Sequence, residues 1–175
     1  MSGIEWTHAV REIPGSGLAV NRQATVDEAA ALATALEVTG IDTLNVSYKV
    51  AAATGGCFSL AGRLTCRITQ ACVVSLEPVS SNLSLPFEAL FCQPGSEPNA
   101  DEGEAGDDLD GPEREPITNG MIDVGRIVFE EMASGIDPYP RTAGANFDWT
   151  DEAASNAETH PFAALKRLQT PKDPS

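Results

Sequence analysis

Between Cys57 and Gln70 the chain alternates without a break. Phe58, Leu60, Leu64, Cys66 and Ile68 fall on one side, and Ser59, Arg63, Thr65, Arg67 and Thr69 on the other. A period of two with one apolar and one polar side is the pattern of an antiparallel strand that buries one face and wets the other. Gly62 lies on the apolar side, where a missing side chain marks a bulge or a close approach. The same alternation recurs at Leu44, Val46, Tyr48 and Val50, before a turn at 54–56, and again at Leu83, Leu85, Phe87, Ala89 and Phe91. Pro86 in the last run cannot donate to a ladder, which predicts an edge or bulged strand. Residues 3–13, with Ile4, Trp6, His8 and Val10 on one side, read as a further short strand ahead of a turn at Pro14–Gly17.

A sheet with one apolar face needs a cover, and two helical patterns supply it. Thr25 and Glu28 stand at the spacing of a capping box, and Ala29, Leu32, Ala33 and Leu36 follow at helical intervals before Gly40, which predicts a helix over 25–39. Asp123 can cap a second helix, with Val124, Ile127, Val128 and Met132 on one side and Gly135 as its stop. The fold class expected is α+β, a mostly antiparallel sheet packed by one main helix and a second helix. Cys72–Leu76 is a short apolar segment ended by Pro78, and the two prolines of DPYPR at 137–141 impose an extended turn.

The 175 residues suit a single domain with tails. Eleven basic against 26 acidic side chains leave a net charge of −15. Nine acids against Arg114 put −8 of it into residues 97–115, where Leu109 is the one aliphatic side chain larger than alanine. Such a segment cannot offset its ordering entropy by burial and is expected to be an acidic, flexible, disordered insert. The division expected is thus a strand-helix-sheet body over 1–96, the insert over 97–115, a helix and DPYPR turn over 116–142, and a polar tail over 143–175 with a short helix carrying Phe162, Leu165 and Leu168.

An acidic balance excludes a broad grip on nucleic-acid phosphates and adhesion to an anionic membrane; it matches basic partners. No run approaches the ~18 apolar residues of a membrane helix, and the N-terminus has neither signal nor transit character. A cytoplasmic protein is expected. Its cysteines, Cys57, Cys66, Cys72 and Cys92, are accordingly read as reduced thiols packed in strands, and their spacing matches no zinc ribbon or finger. No metal, cofactor or small-molecule substrate is implied. Cys66 has Arg67 beside it but on the opposite side of the strand, no serine stands in G-x-S-x-G, and no glycine-rich phosphate loop is present; a non-enzymatic protein is expected. Arg63 and Arg67 share one polar face roughly 13 Å apart, and Lys49 could join them in a local positive strip. Arg141 is a further basic candidate.

Four segments then agree with one family. QACVVSLEPV at 70–79, IDVGRIVFEEM at 122–132, DPYPRTAGANF at 137–147 and HPFAALKRLQ at 160–169 resemble, in this order and around an acidic gap, the YceD-like large ribosomal RNA subunit accumulation protein family, with the closest likeness to its alphaproteobacterial branch. The likeness runs from the helix at 25 to Leu168. It implies a non-enzymatic role in bacterial ribosome biogenesis, supporting accumulation of large-subunit (23S) ribosomal RNA. The partner implied is a basic ribosomal protein or a large-subunit assembly intermediate or factor. Direct rRNA contact through the Arg63/Arg67 strip, or an acidic chaperone or adaptor role unrelated to ribosomes, is the alternative. Many members carry C-x-x-C ahead of L-E-P; here Cys72 keeps the first position and Ser75 takes the second, which removes a dithiol or half a metal site. Candidate interaction residues are Arg63, Arg67, Cys72, Glu77, Tyr139, Arg141 and Phe162.

Overall fold

The computed structural model describes residues 4–94 and 113–146. A compact unit runs over Met1–Ala143; of the second, Gly144–Ser175, only Gly144, Ala145 and Asn146 are described. Seven strands are present in the described residues: β1 Thr7–Ala9, β2 Leu18–Gln23, β3 Gly40–Ala52, β4 Phe58–Ala71, β5 Pro78–Cys92, β6 Glu113–Pro116 and β7 Met121–Asp123. Helix α1 spans Val26–Ala35 and α2 spans Val124–Gly135. The main sheet has the order β2-β3-β4-β5-β6, antiparallel except for the β5–β6 pair, and β1 and β7 form a separate antiparallel pair. The architecture is the α+β arrangement the alternation predicts.

The alternating runs become β3, β4 and β5. Leu44, Val46, Tyr48 and Val50 of β3, Leu60, Leu64, Cys66 and Ile68 of β4, and Phe87, Ala89 and Phe91 of β5 are buried on one face. Against them pack Leu32 of α1, Ile127, Val128 and Met132 of α2, and Ile4 and Trp6. A Cβ at Gly62 would lie 2.6 Å from the Phe87 ring and from the Ser47 carbonyl oxygen, so the glycine marks a close approach rather than a bulge. Pro86 pairs with Arg63 in a stretch of β5 that β6 does not reach, so its missing N–H falls where the strand is an edge.

The capping box at α1 is complete. The Glu28 N–H donates to Thr25 Oγ1 at 3.2 Å, and the Thr25 N–H donates to Glu28 Oε2 at 2.8 Å. The helix stops short of the expected Gly40: Glu37 turns left-handed at φ 55° and the Val38 N–H reaches back to the Ala33 carbonyl at 3.0 Å, leaving Gly40 to open β3. At α2, Asp123 caps Arg126, and the Trp6 carbonyl takes the N–H groups of Val124 and Gly125 at 2.9 and 3.2 Å.

Three expectations are corrected. Residues 3–13 form a strand only over β1, followed by a one-turn 3-10 helix at Val10–Glu12, because β7 offers three partners and no more. Glu113, Arg114 and Glu115 belong to the sheet rather than to the insert, and Glu115, 6% exposed, lies on the buried side in a bidentate pair with Arg126 at 2.8 Å. Cys57 and Cys92 are joined by a disulfide; Cys66 and Cys72 remain thiols. Residues 97–112 of the expected insert and the expected helix after His160 lie outside the described residues.

A polar cluster closes the sheet beside β2. The Trp6 Nε1–H donates to Glu28 Oε1 at 2.7 Å, Arg22 stacks over the Trp6 ring at 4.6 Å and donates to the same carboxylate, and His8 Nε2 is 2.7 Å from the Tyr48 hydroxyl. Burial, then the Arg22 charge, hold the His8 imidazole below its ordinary 6.5, against a weaker opposing effect of Glu12. The folded state thus binds this proton less well than the unfolded chain, and stability declines as pH falls below about 6.5. His8→Gln should flatten the stability profile between pH 7 and pH 5, measured by urea unfolding. Gly62→Ala should cost about 1–3 kcal/mol by overpacking, measured the same way at pH 7.

Candidate functional site

Where β4 ends, the chain turns back through Cys72–Glu77 into β5, and the segment after α2 lies against this turn. The Cys72 N–H donates to the Glu77 carbonyl at 2.8 Å, and the Val73 N–H donates to the Pro140 carbonyl at 2.9 Å. Its sulfur is the centre. Cys72 Sγ accepts from the N–H groups of Val74, Ser75 and Thr142 at 3.5, 3.4 and 3.4 Å, and from the Thr142 hydroxyl at 3.7 Å. The two sequence-distant segments, 72–77 and 137–142, are therefore latched through the sulfur and the Val73–Pro140 backbone bond. Gln70 adds a further tie, donating to the Asp137 carbonyl at 2.9 Å, and the Tyr139 N–H caps on Asp137 Oδ1.

These donors also set the acidity of the thiol. Hydrogen bonds from Ser75, then from Thr142 and Val74, hold it down to about 6, against the burial that would raise it. Cys66, on the core face, is the opposite case: burial, then the Asp42 charge, push it up to about 11. Cys72 has no solvent-exposed surface, and its sulfur accepts four hydrogen bonds, so it anchors the chain. Ser75 donates to Glu77 Oε2 at 3.3 Å and cannot stand in for a thiolate ligand. Among the described residues no group of three or more His, Cys, Asp or Glu side chains could hold a metal.

The latch holds an apolar surface outward. Leu76 is 78% exposed, Tyr139 71% and Val73 47%, three of the four large hydrophobics exposed among the described residues. Leu76 is at φ 61°, a left-handed conformation unfavourable for a branched side chain and kept by its N–H bond to the Cys72 carbonyl at 2.9 Å. Of the residues singled out from sequence, the fold thus brings Cys72, Glu77, Tyr139 and Arg141 together. Arg141 is exposed and forms no ion pair among the described residues. Phe162 lies outside them. Sequence reasoning missed the outward placement of Val73 and Leu76, and the roles of Ser75 and Thr142; an apolar pentapeptide between strands reads as buried.

Arg63 and Arg67 lie elsewhere, on the open face of the sheet. Register puts Arg63 opposite Ser47 and Lys49 opposite Ala61, so Lys49 is a diagonal neighbour of Arg63 and not of Arg67. Arg67 pairs with Asp42 at 3.3 Å, with both side chains more than half exposed, a contact worth little. Arg63 donates to Ser84 Oγ at 3.3 Å, and neither it nor Lys49 has a carboxylate partner among the described residues. A shallow depression of about 310 Å³ beside Arg63 is lined by Asn21, Gln23, Asn45, Ser47 and Thr65, hydrogen-bonding groups, together with Arg22 and Val46.

Fold and site together define a small α+β protein that displays a latched apolar turn at one end of its sheet and a polar, locally basic sheet face. The chain belongs to the family described as large ribosomal RNA subunit accumulation protein YceD, whose model matches residues 60–169. The match begins in β4 and takes in β5, the sulfur-centred turn, β6 and α2, a shorter span than the resemblance from residue 25 onward. The family's role is in accumulation of the ribosomal RNA of the large subunit, and it is not a known enzyme family. No curated protein and no solved structure matches the chain. No helix of the described residues is long and apolar enough to cross a membrane.

A lowered thiol pKa contributes stability that is complete above the unfolded value near 9 and is lost as pH falls through about 6. Thiolate absorbance near 240 nm should titrate with a midpoint near 6 and lose that step in Cys72→Ser. The stability difference between the two proteins should shrink as pH is lowered from 9 to 5.

Proposed function

We propose that this protein supports large-subunit rRNA accumulation in the cytoplasm by binding a basic ribosomal protein or assembly factor through the turn at Cys72–Glu77 and Asp137–Thr142. The observation that carries the reading is the exposure of Leu76, Tyr139 and Val73 on a segment whose backbone is latched by Cys72. Exposed apolar groups on two segments latched together favour a protein partner over a nucleic acid, and pre-ordering the turn lowers the entropy cost of docking. The −15 charge favours encounter with a basic chain. Immobilised full-length protein should retain a subset of large-subunit proteins or factors from purified assembly intermediates. Leu76→Ser and Tyr139→Ser should each weaken that retention by about tenfold or more while leaving the unfolding transition in place. Retention indifferent to both changes would remove this site.

A second reading has its own observation. Lys49 and Arg63, without acidic partners and beside a depression lined by amide and hydroxyl groups, suit the sugar-phosphate backbone of rRNA. The face described has no aromatic platform for base stacking, so contact there would be to backbone and steeply salt-dependent. Arg63→Glu should abolish binding to large-subunit rRNA fragments under this reading, and an unchanged affinity and salt slope would exclude it.

A further inference from the structure

We propose that Cys57 and Cys92 form a redox-reversible clamp, opened by a dithiol reductant, that governs how firmly β6 is held to the sheet. The proposal goes beyond the partner readings and does not depend on either. Phe58 pairs with Phe91, which brings the next residues out, Cys57 and Cys92, opposite each other at the end of the β4–β5 ladder. Cys92 is also the last of the four β5 residues that pair with β6, Ala89–Cys92 against Glu113–Pro116, and its carbonyl accepts the Ile117 N–H at 2.8 Å. Among the described residues, one side of Cys92 thus carries the covalent tie to the start of β4 and the other the end of the ladder that holds β6. A four-residue edge strand belongs to the least stable part of a sheet. The burial of Ile117 and the Glu115–Arg126 pair also fix it.

The two sulfurs are unequal. Cys57 is buried, next to the Thr54–Gly56 turn, whereas Cys92 is partly exposed. A reductant thiolate attacks the Cys92 sulfur, forming a mixed disulfide and releasing Cys57 as a thiolate that takes a proton. The second thiol of the reductant then displaces Cys92 as thiolate and leaves as the oxidised disulfide, so two electrons and two protons pass to the protein. The remaining cysteines stay out of the exchange: Cys66 faces the core and Cys72 has no solvent-exposed surface.

The test uses the full chain equilibrated with reduced or oxidised dithiothreitol, followed by alkylation in denaturant and, separately, amide hydrogen exchange. The oxidised protein should show two alkylatable thiols and the reduced protein four. On reduction the amides of Glu115 and Ile117 should exchange at least about tenfold faster, with those of central β3 and β4 unchanged. Doubly substituted Cys57→Ser/Cys92→Ser should exchange at the fast rate in both buffers. Equal exchange at these amides in oxidised and reduced wild-type protein, or four alkylatable thiols after oxidation, would overturn the proposal.

Discussion

The double antiparallel pairing of β4 is the constraint on which the rest of the structure depends. Flanked along its length by β3 on one side and β5 on the other, it fixes the register of both, and through them the positions of α1, α2 and β6. Its apolar side is fully committed to the core, and the absence of a side chain at Gly62 is what lets Phe87 and Tyr48 close over it. Because every second residue is thereby buried, the intervening ones must form a continuous polar face, and the helices, both on the other side, leave that face open. The ends of β4 also set where sulfur chemistry falls. Cys57 precedes it and meets Cys92; Cys72 follows it and meets Thr142. The clamp and the latch are separated by the whole strand.

Those consequences of one-sided burial were legible in the sequence. Alternation in β3, β4 and β5 follows directly from a buried face, and the Thr25–Glu28 box needs only local geometry, so both could be read without knowing the fold. Features that depend on the partner rather than on the segment could not. β2 carries Asn21, Arg22 and Gln23 and forms only because β3 offers it a ladder. Glu115 reads as one more acid in an acidic run, yet lies buried because Arg126, on the first turn of α2, meets it. A cysteine separation of 35 says nothing about pairing; the β4–β5 register does. The outward turn of Leu76 rests on a left-handed backbone that a hydropathy pattern does not encode. Arg63 and Arg67 were correctly placed on one face, but their separation into a free cation and one paired with Asp42 required the bulge between Ile41 and Thr43 that brings Asp42 within reach.

The electrostatics bear on how so acidic a chain belongs to a family concerned with ribosomal RNA. A protein that met large-subunit assembly through a broad basic surface would bind any RNA, since phosphate contacts carry no sequence information. Here the negative charge is general, and on the open sheet face Arg67 is paired with Asp42 while Lys49 and Arg63 have no carboxylate partner among the described residues; under the proposed reading, non-specific capture is suppressed by repulsion. Affinity must then come from something other than net charge. Under the proposed reading the latched turn supplies it: apolar area already held in place on an acidic body suited to a basic protein. Under the proposed reading, specificity comes from shape and apolar contact at the turn, while charge determines encounter and rejects bare RNA. On that reading the buried sulfur has a purpose, because an apolar patch on a mobile loop would cost its ordering entropy at every docking event.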